Sequence, residues 1–251
     1  MTEPKPKLPK VFIGILAGKK HDRFATLFNK HLDEAIKAYV QIGGVVGKAV
    51  CKENIGDTMI DRIVNGRNIL RDAFLQTDCD LYFSVDSDVL LPKMSIVSLV
   101  GDCMADGCDI VSGIYFGMLK YENEKGVKRA IEFCPVMFFK IDDKKQKPHM
   151  RNCRGSFNLH EYFPSRVFQI HSCGAGFVMI KRKVLETIKW RHTHTKKLAI
   201  GEDISLCVDA QKKGMKVWCD SYLWALHLKD DKALKENRKE VVEFNLEKKK
   251  K

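Results

Sequence analysis

The hydrophobic pattern changes period several times along the first half of the chain. Val11 to Ala17 is a nearly continuous apolar run and predicts a buried strand, closed by a polar turn over Gly18 to Asp22. From Asp22 or Arg23 to about Val40, apolar residues recur at Phe24, Leu27, Phe28, Leu32, Ala35, Ile36, Tyr39 and Val40, the three-to-four spacing of an amphipathic helix. A Val-rich strand follows over Gly43 to Val50. Asp57 then caps a helix running to about Gln76. Leu81 to Val85 is a short apolar strand ending in Asp86-Ser87-Asp88. Pro92 precedes a helix from Lys93 to Ala105, and Asp109 to Phe116 is a fourth strand. Strands alternating with helices predict an α/β fold, with a mostly parallel central sheet flanked by helices in a single domain.

The second half has a different texture. Ile131 to Ile141 predicts a long strand, placed at an edge or interrupted by Pro135. Asp142 to Arg154 is a charged loop. Val167 to His171 and Gly176 to Ile180 are strands on either side of Ser-Cys-Gly-Ala-Gly. Lys183 to Lys189 is a short helix, His192 to Ile200 a loop, Glu202 to Lys213 a helix, and Met215 to Cys219 a strand. The expected organisation is a disordered leader over 1–9, one domain over 10–228 and a charged helix or tail over 229–251.

Composition narrows the class. At 45% hydrophobic and 30% charged, the 251-residue chain can bury a sizeable core and is not a disordered polymer. No apolar stretch reaches the roughly 18 residues of a membrane span, and no signal peptide is evident. Nine cysteines at uneven spacings, several inside apolar segments and none in a CxxC, read as free buried thiols. They imply a reducing, cytoplasmic compartment, that of the host cell if the source is viral. The net charge is +12. Residues 140–197 hold fourteen Lys or Arg against four acids, a balance of +10. Such a region is either a solvated surface or a site for an anionic partner, whether nucleotide diphosphate, nucleic acid or acidic glycan.

The candidate chemistry is concentrated in a few places. A buried strand ending in Asp86-Ser87-Asp88 puts two carboxylates at the C-terminal edge of the sheet, where open α/β sheets bind ligands. Hard oxygen donors without Cys or His pairs suit Mg²⁺ or Mn²⁺, which bridges diphosphate oxygens. Arg67 and Arg71, four apart, share a helix face and either grip phosphate or pair with an acid. Gly174 and Gly176, around Ala175, either admit a ligand close to the backbone or make a hairpin turn. Glu202 and Asp203 open a helix, where they serve as caps or as a general base. His227, after Trp224-Ala-Leu, is a metal ligand or a core histidine, and His192-Thr-His194 is a conceivable second metal pair or part of a loop.

Asn65-Gly-Arg67-Asn68-Ile-Leu-Arg71, followed by Asp80-Leu-Tyr-Phe-Ser-Val-Asp86-Ser-Asp88, resembles the donor half of the GT-A glycosyltransferases, in the compact family-2-like form of viruses and bacteria. The resemblance continues through His171 to Ile180, similar to the family's acceptor-side glycine turn, and Gly201-Glu202-Asp203, similar to its Glu-Asp helix start. It covers residues 10–228.

It implies a GT-A fold with a donor half over 10–116 and an acceptor half over 117–228. It also implies a UDP- or GDP-linked sugar donor and Mn²⁺ or Mg²⁺ as cofactor. Arg67, Asn68, Arg71 and Asp86 would bind the donor, with Ala17 and Gly18 facing base and ribose. Asp86, Asp88 and His227 would hold the metal. Gly174, Ala175 and Gly176 would face the acceptor. Asp203, or else Glu202, would be the base of an inverting transfer. The acceptor is a glycan, a protein or DNA carrying a hydroxymethylated base. Two competing classes are nucleotidyl transfer, for which Gly18-Lys-Lys is a poor phosphate loop, and a non-catalytic nucleic-acid-binding module.

Overall fold

A computed structural model describes residues 7–18, 21–52, 55–122, 128–141, 149–152, 166–195 and 198–228. The predicted tail over 229–251 and most of the charged loop over 142–154 lie outside these residues.

Strand β1 (Lys10–Ala17) is flanked by β2 (Val45–Lys52) and β3 (Leu81–Asp86), both parallel to it. Beyond β3 the order continues through β11 (Phe177–Lys181), β5 (Ile110–Glu122), β14 (Val217–His227) and β4 (Val89–Leu90). β14 runs parallel to β5, whereas β11 is antiparallel to both β3 and β5. Strands β1, β2, β3, β5 and β14 therefore point one way, with β11 inserted against them. Both β11 and β14 come from the expected acceptor half, so the two halves share one sheet.

Strands β1 and β3 bury both faces, and alternation assigns the side chains. Val11, Ile13 and Ile15 of β1 join Leu81, Phe83 and Val85 of β3 on one face. There they meet α1 (His21–Gln41), through Phe24, Phe28, Leu32, Ala35 and Tyr39, and α3 (Ser95–Met104), through Ile96, Leu99 and Val100. Phe12, Leu16 and Tyr82 face the other way. They pack on α2 (Met59–Leu75), α4 (Arg182–Thr187) and α5 (Glu202–Lys212). A fully buried Phe or Leu contributes about 1.5–3 kcal/mol, so these two layers dominate the stability. Gly14 is required on the second face because a Cβ there would lie 2.2 Å from the Tyr82 hydroxyl.

Several boundaries differ from the sequence expectation. The cap of α2 is Thr58, not Asp57: its hydroxyl accepts from the Asp61 amide while Asp61 reaches back, a capping box. The expected long strand is two, β6 (Lys128–Pro135) and β7 (Met137–Ile141), interrupted next to Pro135. β8 (His149–Asn152) pairs with β7, where a charged loop was expected. β9 (Val167–Ile170) and the two-residue β10 (Ser172–Cys173) precede the glycine turn. The loop expected over 192–200 contains a hairpin, β12 (Thr193–Thr195) with β13 (Leu198–Ile200). The last residues of the expected leader are ordered: Leu8 packs against the first core layer, and the Pro9 carbonyl accepts from the Tyr39 hydroxyl at 2.6 Å.

Seven cysteines among the described residues are free, six of them buried, as the apolar settings predicted. No helix among the described residues is long and apolar enough to cross a membrane.

Candidate active site

β3 ends at Asp86, and the turn after it is held at both sides. The Ser87 amide donates to the Leu16 carbonyl at the end of β1 (3.1 Å), and the Asp86 amide donates to the Gly176 carbonyl (3.1 Å). Ala17 is buried and Gly18 half-buried beside this turn, because Leu16 lies in register with Asp86.

β14 returns antiparallel to β4, setting His227 opposite Val89. The Leu228 amide closes onto the Asp88 carbonyl at 2.6 Å. His227 Nε2 then stands 3.3 Å from Asp88 Oδ2, and its Nδ1 lies 3.0 Å from the Phe116 carbonyl. A carbonyl only accepts, so Nδ1 carries the proton of that contact, and Nε2 is the ring nitrogen turned toward Asp88. A backbone carbonyl orienting the remote nitrogen is a common support for a metal-binding imidazole. The donor pair Asp88–His227 therefore fits Mn²⁺ or Mg²⁺ chemically. Asp86 takes a different partner, and no group of three or more His, Cys, Asp or Glu is gathered for a metal among the described residues.

That partner is Arg67. Its side chain is only 2% exposed, and Nη2 lies 2.5 Å from Asp86 Oδ1. Nη1 donates to Ser84 Oγ at 2.8 Å, and Nε is 4.0 Å from Glu202 Oε1. The guanidinium also sits 5.7 Å from the Trp190 ring centre. Burial works against its charge, but Asp86 and Glu202 outweigh that and hold its pKa raised.

The other two donor-site candidates on α2 have structural partners. Asn68 makes two hydrogen bonds to the backbone of Trp190, donating to its carbonyl at 2.9 Å and accepting from its amide at 3.0 Å. Arg71 Nε donates to the carbonyls of Leu185 and Ile188 at the end of α4. These contacts fasten α2 to the segment before the 193–200 hairpin and engage both side chains that were expected to bind the donor.

α5 begins at Glu202 after Gly201. Glu202 is buried, and desolvation raises its pKa while Arg67 opposes the rise. Asp203 is partly exposed and is pushed up to about 7, first by desolvation and then by the neighbouring Glu202 charge. Its Oδ1 accepts from the amide of the next residue, Ile204, at 2.7 Å, within the first turn of the helix that Gly201 opens. Gly201 makes room, since a Cβ there would lie 2.7 Å from Asp203 Oδ1.

The glycines of the 174–176 turn serve space, not dihedral angle: neither has a positive φ. A Cβ on Gly176 would lie 2.6 Å from Asp86 Oδ2, and one on Gly174 would lie 1.9 Å from the Tyr115 hydroxyl. Ala175 between them is buried. The turn thus abuts the Asp86 carboxylate directly.

His192 Nε2 is 3.1 Å from Asp61 Oδ1 on the first turn of α2 and takes no part in this centre. Tyr115 and Trp190 were not singled out from sequence, and Ser84 and Gly201 entered only as members of longer motifs. Tyr115 and Ser84 could have been singled out, as polar residues inside predicted strands near the sheet edge that bears the acids.

The basic 140–197 region is largely committed where it is described. Arg166 pairs with Asp220, Lys183 with Asp109 and Arg191 with Asp209, while Arg182 donates to carbonyls of residues 77 and 79. Lys144, Lys145, Lys147, Arg154, Lys196 and Lys197 lie outside the described residues.

No protein-family model and no curated protein sequence matches this chain. Solved structures do. A crystal structure of GalNAc-T7 with UDP, GalNAc and Mn²⁺ superposes with a TM-score of 0.51 at 11% identity, over 90% of this chain and 45% of that one. The crystal structure of A197 from STIV aligns over 88% of this chain and 86% of that one, at 20% identity and a TM-score of 0.48. This chain spans under half the length of the GalNAc-T7 chain. The mixed α/β sheet, flanked by helices in a single domain, is a GT-A-like fold, shared with that GalNAc-T7 structure.

Proposed function

We propose that this chain is a metal-dependent glycosyltransferase that moves a sugar from a UDP- or GDP-linked donor to a hydroxyl acceptor with inversion. The observation that carries the reading is the convergence, at the C-terminal edge of the parallel strands, of the Asp88–His227 pair, the Arg67-bound Asp86 and the half-open Asp203. A purely nucleic-acid-binding module has no need of Asp86, Asp88 and His227 together. The GalNAc-T7 structure, solved with UDP, GalNAc and Mn²⁺, is consistent with the same cofactor chemistry here.

Asp88 and His227 would hold Mn²⁺ or Mg²⁺, and Asp86 would border that site. Such an ion stabilises negative charge on a departing diphosphate. The protein's own groups supply the rest. Arg67 fixes the Asp86 carboxylate beneath the Gly174–Gly176 turn. Ala17 and Gly18 border the nucleoside end of the donor site. Asp203, with a pKa near the working pH, removes the proton of the acceptor hydroxyl. The acceptor oxygen bonds to the anomeric carbon as the bond to the diphosphate oxygen breaks, and the nucleoside diphosphate leaves. Glu202, more deeply buried and set against Arg67, is a supporting acid and not the base. Asn68 and Arg71 serve the scaffold.

A thermal-shift panel of nucleoside diphosphates with and without Mn²⁺ tests the donor site. One or two nucleotides should raise the melting temperature only with the ion. Stabilisation independent of the ion, or by none of the panel, would contradict the reading.

A further inference from the structure

We infer that Tyr115 is a positioning residue of this site, tying the Gly174–Gly176 turn and the Asp88–His227 pair to one rigid point. The inference rests on the transferase reading. Tyr115 lies on β5, in register with Ala225 of β14, two residues before His227. It is buried, 6% exposed. Its backbone is fixed by the Val136 amide, which donates to its carbonyl at 2.9 Å.

The two ends of the side chain then make different contacts. The ring meets the His227 ring edge-on, with centres 5.5 Å apart and planes at 82°. Edge-on contact of this kind is a favoured aromatic geometry and limits how the imidazole can turn. The hydroxyl accepts the Gly176 amide at 3.2 Å. It also touches the turn so closely that only glycine fits at 174. A Cβ on Gly176 would lie 2.6 Å from Asp86 Oδ2 and 3.2 Å from the Tyr115 oxygen, so hydroxyl and carboxylate flank the same residue.

A core filler needs none of this. Phenylalanine would supply the same apolar volume without burying a hydroxyl, which costs stability unless it is used. One side chain thereby links the glycine turn beside Asp86 to the imidazole beside Asp88. A change in its length or polarity alters their relative placement, and small misplacements of reacting groups reduce rate far more than binding.

The test uses Tyr115→Phe and Tyr115→Leu. Tyr115→Phe keeps the ring against His227 and removes only the acceptor for the Gly176 amide. Its kcat should fall roughly 10–100-fold, while KM for the nucleotide-sugar and calorimetric Mn²⁺ affinity with nucleoside diphosphate change less than about twofold. Tyr115→Leu should weaken Mn²⁺ binding as well. Hydrogen exchange gives a readout without activity. Amides of residues 174–176 should exchange about 3–10-fold faster in Tyr115→Phe, the loss of one neutral hydrogen bond, while those of β1 and β3 stay as in the parent. Unchanged exchange at the turn, unchanged kcat, or parallel loss of kcat, metal affinity and β1–β3 protection would each overturn the inference. If the parent protein transfers no sugar, the transferase reading fails, and the exchange comparison alone still decides whether Tyr115 fixes the turn.

Discussion

Replacing Arg67 with methionine removes the one cation among three acidic or polar partners while keeping most of the apolar stem. Asp86, Ser84 and Glu202 would all lose it. Breaking a buried ion pair from one side costs about 3–5 kcal/mol, because the charge left behind is uncompensated. An exposed pair such as Arg191–Asp209, with its arginine 48% exposed, is worth about 0–1 kcal/mol and provides the control. The Asp86 side chain is 29% exposed and can rehydrate, so the Glu202 carboxylate, 10% exposed, carries more of the loss. For a domain of this size the cost is about 6–20 °C in melting temperature.

The pH dependence identifies the cause. Without the guanidinium the folded-state pKa of Glu202 rises further, so the folded state binds a proton that the unfolded state releases. Stability then falls as pH rises from about 4.3, the unfolded glutamate value, through the raised folded value. Urea unfolding of Arg67→Met and the parent should show a larger deficit at pH 8 than at pH 5. A deficit equal at both pH values, or below about 1 kcal/mol at pH 8, would refute the placement of Arg67 as counter-charge to buried acids.

Other outcomes follow from the same contacts. Asp203→Asn should bind the nucleotide-sugar nearly as the parent does and lose transfer by about 10²–10⁴-fold, read by donor titration and product formation; lost donor binding would move Asp203 to the donor site. With Asp203 as the proposed base, held up to about 7, kcat should climb with pH through that value and then level off, and a flat profile from pH 5.5 to 8.5 would remove it as base. Asp102 is likewise pushed up to about 7, by burial and then by Asp220, so it contributes stability at low pH that is lost between about 3.8 and 7; Asp102→Asn should flatten the pH dependence of the urea midpoint in that window. Asn68→Ala should cost about 1–3 kcal/mol for the two Trp190 backbone bonds and leave nucleotide affinity unchanged, with weakened nucleotide binding at full stability as the opposing result.

The alternation of strand and helix was legible because period is a local property: burial on one face of α1 and both faces of β1 is written in consecutive residues. Partners distant in sequence were not. Arg67 and Arg71 share a helix face, yet one meets an acid at the end of β3 and the other meets carbonyls of α4, more than 100 residues on. Nothing in their i, i+4 spacing separates those fates. Asp57 and Thr58 are both competent caps, and the reciprocal bond to Asp61 selects Thr58. The two-residue β4 exists only because β14 returns beside it, so no local pattern marks it. The glycine turn was found, but its reason was not. Gly174 and Gly176 are fixed by the Tyr115 hydroxyl and the Asp86 carboxylate that press against them, not by backbone handedness.

Release of nucleoside diphosphate from a nucleotide-sugar is the most direct measurement of the central claim. UDP- and GDP-sugars are incubated with the protein and Mn²⁺, with chelator, and with the Asp88→Ala/His227→Ala double variant, and the liberated diphosphate is quantified. Release from at least one donor that disappears with chelator and falls by orders of magnitude in the double variant is the predicted result. Release from none of the donors, or release that survives both chelator and the double substitution, would contradict it.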